Sequence, residues 1–334
     1  MAPAPSTPRT VMTTTPAEDD RPLLFLVGAT ASGKKQAALA AAAELPLALL
    51  SLDALKVYRG LDRGTDKSPE RRFGLTDLVG PHARFSVGDY VRAAAAAVAA
   101  IRAAGQVPLF VGGTGLYLRA LVRGLTEVPE IPATARAAVA ARLDQAGVAA
   151  GHAALAELDP VTAARLHPHD RKRIARALEV VEATGRPLSA WQRESTRRPI
   201  PGRVHLCGIR WTRAALHRRI RERVERMFAA GLVDEVRALH ASGGLGPVAG
   251  SAIGYREVVE WLIAPPADRA LGSEAECRRQ VVTDTTAFVR RQDNWFRQFP
   301  EIVWIDADDA PQQVPRRVVE ELRKRIGPER RQES

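Results

Sequence analysis

Cysteine is scarce. Cys207 and Cys277 are the two thiols among 334 residues, they stand far apart, and neither has a C-x-x-C partner. That excludes a disulfide framework and a cysteine-built zinc site, and it suits a reducing compartment. Long apolar runs are missing too. Nowhere do about eighteen apolar residues run together without a charge, because Arg, Lys or Glu interrupts each alanine-rich segment. Residues 1–22, MAPAPSTPRTVMTTTPAEDDRP, contain no apolar core for a secretory signal and read as a disordered leader. These absences lead us to expect a soluble, cytoplasmic protein with no membrane partner. A metal cluster is not indicated, since the one close histidine pair, His167 and His169, sits in a proline-containing turn without a third ligand.

What is abundant is positive charge. Lys and Arg number 49 against 38 Asp and Glu, a formal net charge of +11, which points toward a polyanionic partner. Arginine spread over solvated helices gives the same excess, so charge alone does not separate the two readings. Four short apolar runs, LLFLVGA, LALLSLDA, VPLFVGG and VHLCGIRW, alternate with longer helical patterns, and IVWIDA at 302–307 adds a fifth. Such alternation predicts an α/β fold, a parallel sheet covered by helices on both faces. Between Gly124 and Pro201 the strands vanish, and an all-helical insertion is expected over 125–201. The core then comprises 23–124 and 202–326, and 327–334 form a charged tail.

The first apolar run ends in GATASGKK. Gly28, Ala29, Thr30, Ala31, Ser32 and Gly33 lead into Lys34 and Lys35, which open a helix. Glycines let backbone N–H groups curl around phosphate oxygens, the helix start adds partial positive charge, and Lys34 reaches the terminal phosphates. This is a P-loop pattern, and the sheet is expected to be P-loop NTPase-like. Position 35 is unusual: a magnesium-holding hydroxyl normally stands there, and Lys35 offers only a cation. Either other groups and waters hold the metal, or Lys35 points to solvent from the first helical turn and metal binding is weakened, or Lys35 itself neutralises part of the diphosphate charge. Asp53 ends the second strand, on the sheet edge where ligands collect, and serves as a metal ligand, a general base or a helix cap. The third strand ends in GGTGLYL without a carboxylate, so the usual NTPase metal arrangement is missing; Thr114 offers a hydroxyl instead.

Seven ordered blocks, GATASGKK, DALKVYRGLDRGTDK, VGGTGLYLRALVRGL, DRKRIARALEVVEATGRPLS, RIRERVERMFAAGLVDEV, AIGYRE and RRQDNWFR, resemble the tRNA dimethylallyltransferases over nearly the whole chain after the leader. The resemblance implies transfer of a dimethylallyl group from dimethylallyl diphosphate to the adenosine 3′ of certain anticodons. It implies diphosphate held by residues 28–35 and Arg223, catalysis by Asp53, Thr114 and Arg223, and Mg2+ as cofactor. It further implies an anticodon stem-loop gripped by Asp53, Ala54, Leu55, Lys56, Thr114, Arg136, Lys172, Arg173, Ile174, Ala175 and Arg176. A monomer is the default expectation. Arg290, Arg291, Gln292 and Trp295 either contact RNA or pack a helix. The chain departs from the family's Asp-Ser-x-Gln at Ala54 and Lys56, and from its paired histidines at Phe73 and Gly74, while Asp77 remains. Two other readings stay open: a catalytically altered paralogue that binds RNA, and a P-loop kinase for a nucleotide or small molecule.

Overall fold

A computed structural model describes residues 20–68, 70, 72–126, 128–194, 198–263 and 271–327. Apart from residues 20–22 and Gly327, the expected leader and tail lie outside these. Pro22 already belongs to the first strand.

In chain order the first half carries β1 (Pro22–Val27), α1 (Lys34–Glu44), β2 (Leu47–Leu52), α2 (Val87–Ala103), β3 (Val107–Gly112) and α3 (Gly115–Arg123). Then come α4 (Ala133–Ala146), α5 (Val148–Leu158), α6 (Pro160–Ala163), α7 (Arg171–Thr184) and α8 (Leu188–Arg193). The chain returns through β4 (Arg203–Arg210), α9 (Arg213–Ala229), α10 (Leu232–Ala241), α11 (Tyr255–Leu262), α12 (Glu274–Phe296), β5 (Val303–Asp306) and α13 (Val314–Ile326). All five expected strands form.

They pair in parallel in the order β2-β3-β1-β4-β5, with Leu24 opposite Leu109 and Phe25 opposite Leu206. On one face Leu24, Leu26, Leu109, Val111 and Ile209 pack against Ala37, Ala38 and Ala41 of α1 and Val318 and Leu322 of α13. Alanines on α1 let that helix lie close to the strands. On the opposite face Leu23, Phe25, Val27 and Phe110 are also fully buried, and the Phe25 and Phe110 rings stack at 5.0 Å. Burial on both faces explains why these strands read as continuous apolar runs. Cys207 and Cys277 are free and buried, and burial pushes both thiols up to about 12.

The chain divides into two compact units. The sheet belongs to the unit made of the described residues within 1–83, 96–113 and 200–334; residues 84–95 and 114–199 make up the helical one. The helical unit thus starts at Thr114 and includes 84–95, whereas the loss of strand pattern in the sequence places its start at 125. Its core gathers Val139, Leu143, Leu155, Ile174, Ala177 and Leu178. Buried Asp159 accepts from Thr162 N and Oγ1 and from Ser189 N, tying α6 to α8. Among the described residues, no helix is long and apolar enough to cross a membrane.

Candidate functional site

Residues 28–33 turn sharply between β1 and α1. Gly28 has φ +147°, and a Cβ there would meet Ile209 O at 2.7 Å; Gly33 follows at φ +93°. Ala31 also adopts positive φ, 62°. Carbonyl oxygens of the turn are engaged from one side: Arg219 Nε donates to Ala31 O at 2.8 Å, and Trp211 Nε1 to Ser32 O at 2.9 Å. The Arg219 guanidinium also stacks on the Trp211 ring at 4.3 Å. Gln292, buried in α12, accepts from Thr30 N at 2.9 Å and donates to Gly113 O at 3.0 Å. These bonds fix the turn. Gly33 caps α1 without a side-chain bond, so the first-turn N–H groups stay available to an anion. Lys34 Nζ folds back onto Ala29 O at 2.6 Å and Ser32 Oγ at 3.2 Å.

Facing the turn is the segment after β2. Asp53 Oδ1 accepts from the N–H groups of Leu55 (2.8 Å) and Lys56 (3.3 Å), an Asx-type turn that orients the carboxylate and leaves Oδ2 open. Thirteen residues on, Asp66 gathers cations. Lys35 Nζ sits 2.5 Å from its Oδ1, Arg223 Nη1 2.9 Å from its Oδ2, and Lys56 Nζ 3.2 Å from its backbone oxygen. Burial works to raise the Asp66 carboxyl, but Arg223, Lys35 and Lys56 outweigh it and hold the group below the usual carboxylate range. Lys34 feels the opposite environment. Burial, then Lys56 and Arg223, lower its ammonium from 10.5 to about 7, against the pull of Asp53. Burial likewise lowers Lys56, partly countered by Asp53 and Asp66.

Two of the sequence blocks hold this segment in place. Glu235 of α10 accepts from the N–H groups of Asp62 (3.2 Å) and Arg63 (2.8 Å) and from Tyr255 Oη at 2.6 Å. Tyr255 Oη in turn accepts from Gly64 N at 3.2 Å. Gly64 has to be glycine, because a Cβ would lie 2.3 Å from the Tyr255 ring. Lys67 completes the brace, bonding Tyr58 O, Asp62 Oδ1 and Asp77 Oδ1. Phe73 packs on the sheet core, and Gly74 bridges to Leu50, where a Cβ would come within 2.9 Å of the leucine side chain. These two positions therefore serve the edge of the sheet.

The other expected residues divide by place. Residues 28–35, Asp53, Ala54, Leu55, Lys56 and Arg223 come together in the sheet unit. Thr114 caps α3, and Arg136, Lys172, Arg173 and Arg176 lie on α4 and α7, all in the helical unit. Lys172, Arg173 and Arg176 are exposed. Ile174 needs correction. Its side chain is fully buried in the helical core, so it cannot touch RNA; Ala175, partly buried, packs against the same core. Arg290 and Arg291 are exposed, Trp295 is half-buried, and Gln292 braces the turn between β1 and α1. Arg290 also lines a groove of about 1060 Å³ whose wall includes Ala29, Ser32 and Trp211. Among the described residues, no group of three His, Cys, Asp or Glu side chains is placed to hold a metal ion.

Known proteins resemble this chain over most of its length. Positions 56–299 match the model of the family described as IPP transferase. A tRNA dimethylallyltransferase of Thiobacillus denitrificans is 43% identical over 298 residues, covering 86% of this chain and 93% of that protein. One from Geobacter sulfurreducens is 41% identical over 291 residues, covering 85% and 91%. Among solved structures, the tRNA isopentenylpyrophosphate transferase of Bacillus halodurans aligns with a TM-score of 0.65 at 28% identity, covering 92% of this chain and 97% of that one.

Proposed function

We propose a function from one premise: this chain belongs to the IPP transferase family. It transfers a dimethylallyl group from dimethylallyl diphosphate to the exocyclic amine of the adenosine 3′ of the anticodon, in tRNAs that read codons starting with U, and it releases diphosphate. Its partner is the anticodon stem-loop. Bases there are unpaired, so extruding one into a pocket costs little compared with opening a duplex.

In this reading the N–H groups at the start of α1, with Lys34, Lys35 and Arg223, hold the diphosphate. The amine nitrogen attacks carbon one of the allyl group, the carbon–oxygen bond breaks, and its electron pair leaves with the diphosphate. Cations around the loop stabilise that growing charge. The amine proton passes to Asp53, whose Oδ1 is held by two N–H groups, which leaves Oδ2 as the oxygen to accept it. Thr114 contributes a hydroxyl toward the nucleotide. Arg136, Lys172, Arg173 and Arg176 present positive charge to the RNA backbone, while Ala54 and Leu55 flank the base. The observation that carries the reading is the pairing of an uncapped phosphate turn with an oriented carboxylate, joined by the Lys56 and Asp66 contacts.

Mg2+, implied by the family, does not fit the residues present. The position of its hydroxyl ligand is Lys35, both Asp66 oxygens are on cations, and one Asp53 oxygen is taken by backbone.

The direct test incubates purified protein with labelled dimethylallyl diphosphate and unmodified tRNA, then digests the RNA. Dimethylallyl-adenosine at the position 3′ of the anticodon is the expected product. ATP turnover in a parallel tube, without label in RNA, would point to a kinase instead.

A further inference from the structure

The donor set does not match a divalent cation, and the consequence, which depends on the diphosphate reading of the site, concerns Lys35. At a phosphate loop the residue after the lysine sits beside the bound phosphates and ordinarily reaches them through a metal. Here that residue is Lys35, at the start of α1, where an unmatched ammonium would face the positive end of the helix. It is matched. Asp66 Oδ1 lies 2.5 Å from Lys35 Nζ, and Oδ2 lies 2.9 Å from Arg223. The backbone at Asp66 turns to φ 54°, a left-handed conformation that aspartate tolerates, and its carbonyl receives Lys56 Nζ at 3.2 Å.

Three cations thus converge on one residue next to a fourth, Lys34. A divalent ion entering this cluster would meet repulsion from every side and few open oxygens. A diphosphate would meet the reverse. Asp66 keeps Lys35 and Arg223 together in the free protein, and a diphosphate oxygen can take over either contact because the Asp66 side chain is 42% exposed.

We infer that Lys35, positioned by Asp66 and backed by Lys56 and Arg223, supplies the charge that a divalent cation supplies at other phosphate loops, so that this chain holds a diphosphate ester without a metal. Lys35 then touches the diphosphate directly. Asp66 is a positioning residue that sets where the ammonium and guanidinium stand.

Titration calorimetry with inorganic pyrophosphate tests this on the full chain, once in EDTA and once in excess Mg2+. Wild type should bind in EDTA within about threefold of its Mg2+ affinity. Lys35→Ser, which restores the hydroxyl, should lose about tenfold or more in EDTA, the value of one charge-assisted contact, and recover with Mg2+. Lys35→Arg keeps the charge and should stay metal-independent, which separates loss of charge from loss of fold. Wild-type binding that appears only with Mg2+ would overturn the inference, as would Lys35→Ser binding equally well in EDTA. The transfer assay run on the same preparation keeps the two ideas apart. Metal-free pyrophosphate binding without prenyl transfer would sink the proposed reaction alone, and transfer with Mg2+-only binding would sink the metal-free site alone.

Discussion

Lys34 provides a pH signature that can be worked through in advance. Its ammonium falls from 10.5 to about 7, first through burial, then through Lys56 and Arg223. At about 1.4 kcal/mol per unit this amounts to about 5 kcal/mol against the charged form. The figure is an upper bound, because Lys34 is half-buried and water screens part of the effect. At pH 8, one unit above that value, about nine molecules in ten carry the neutral amine. A bound diphosphate reverses the local field and restores the proton. Binding at pH 8 should therefore take up about 0.9 proton at this residue, and affinity should fall by up to about tenfold per unit above pH 8. For folding the sign is opposite. The unfolded chain keeps its proton up to 10.5, so it binds more protons between pH 7 and 10, and unliganded stability rises across that window. Calorimetry with a non-hydrolysable dimethylallyl thiolodiphosphate, in two buffers of different ionisation enthalpy, reads the protons. Lys34→Arg, charged at every pH, is the reference and should lack the uptake. Equal uptake by the two proteins, or wild-type affinity that is flat from pH 7 to 9, would refute the reasoning.

Gln292→Leu should leave Thr30 N–H and Gly113 C=O without their buried partner, at about 1–3 kcal/mol each. We expect a thermal midpoint lowered by roughly 5–10 °C, with weaker diphosphate binding, by calorimetry. In the helical unit, Asp159→Ala removes an acceptor shared by Thr162 and Ser189 and should cost about 2–4 kcal/mol in urea unfolding. Burial raises the Asp159 carboxyl, yet bonds from Ser189 and Thr162 outweigh it and hold it below the usual range. Its contribution is therefore full above about pH 4 and lost as pH falls through the depressed value, whereas Asp159→Asn should show no such acid-dependent loss by circular dichroism.

The parts of this site that announce themselves in the sequence are those whose physics is local. Five apolar runs mark the strands because each is buried on both faces, and Gly28 and Gly33 mark the turn between β1 and α1 because both adopt positive φ there. Asp53 is visible from its place at a strand end. Asp66 is not, although it lies within the DALKVYRGLDRGTDK block, because its partner Lys35 is 31 residues away. The same holds for Gln292, whose bond to Thr30 spans 262 positions, and for the Glu235 and Tyr255 brace. Ile174 misleads for a different reason. Carrying a basic run across consecutive residues ignores that a helix turns them to different faces, so Arg173 and Arg176 reach solvent while Ile174 points into the core.

The central claim is that the turn after β1 grips a prenyl diphosphate while Asp53 takes the proton from an adenosine amine. Single-turnover transfer by Asp53→Asn, at saturating dimethylallyl diphosphate and tRNA, tests it most directly. The account predicts a rate lowered by about a hundredfold or more, with pyrophosphate affinity within a few-fold of wild type. Transfer at near wild-type speed by that variant would contradict it.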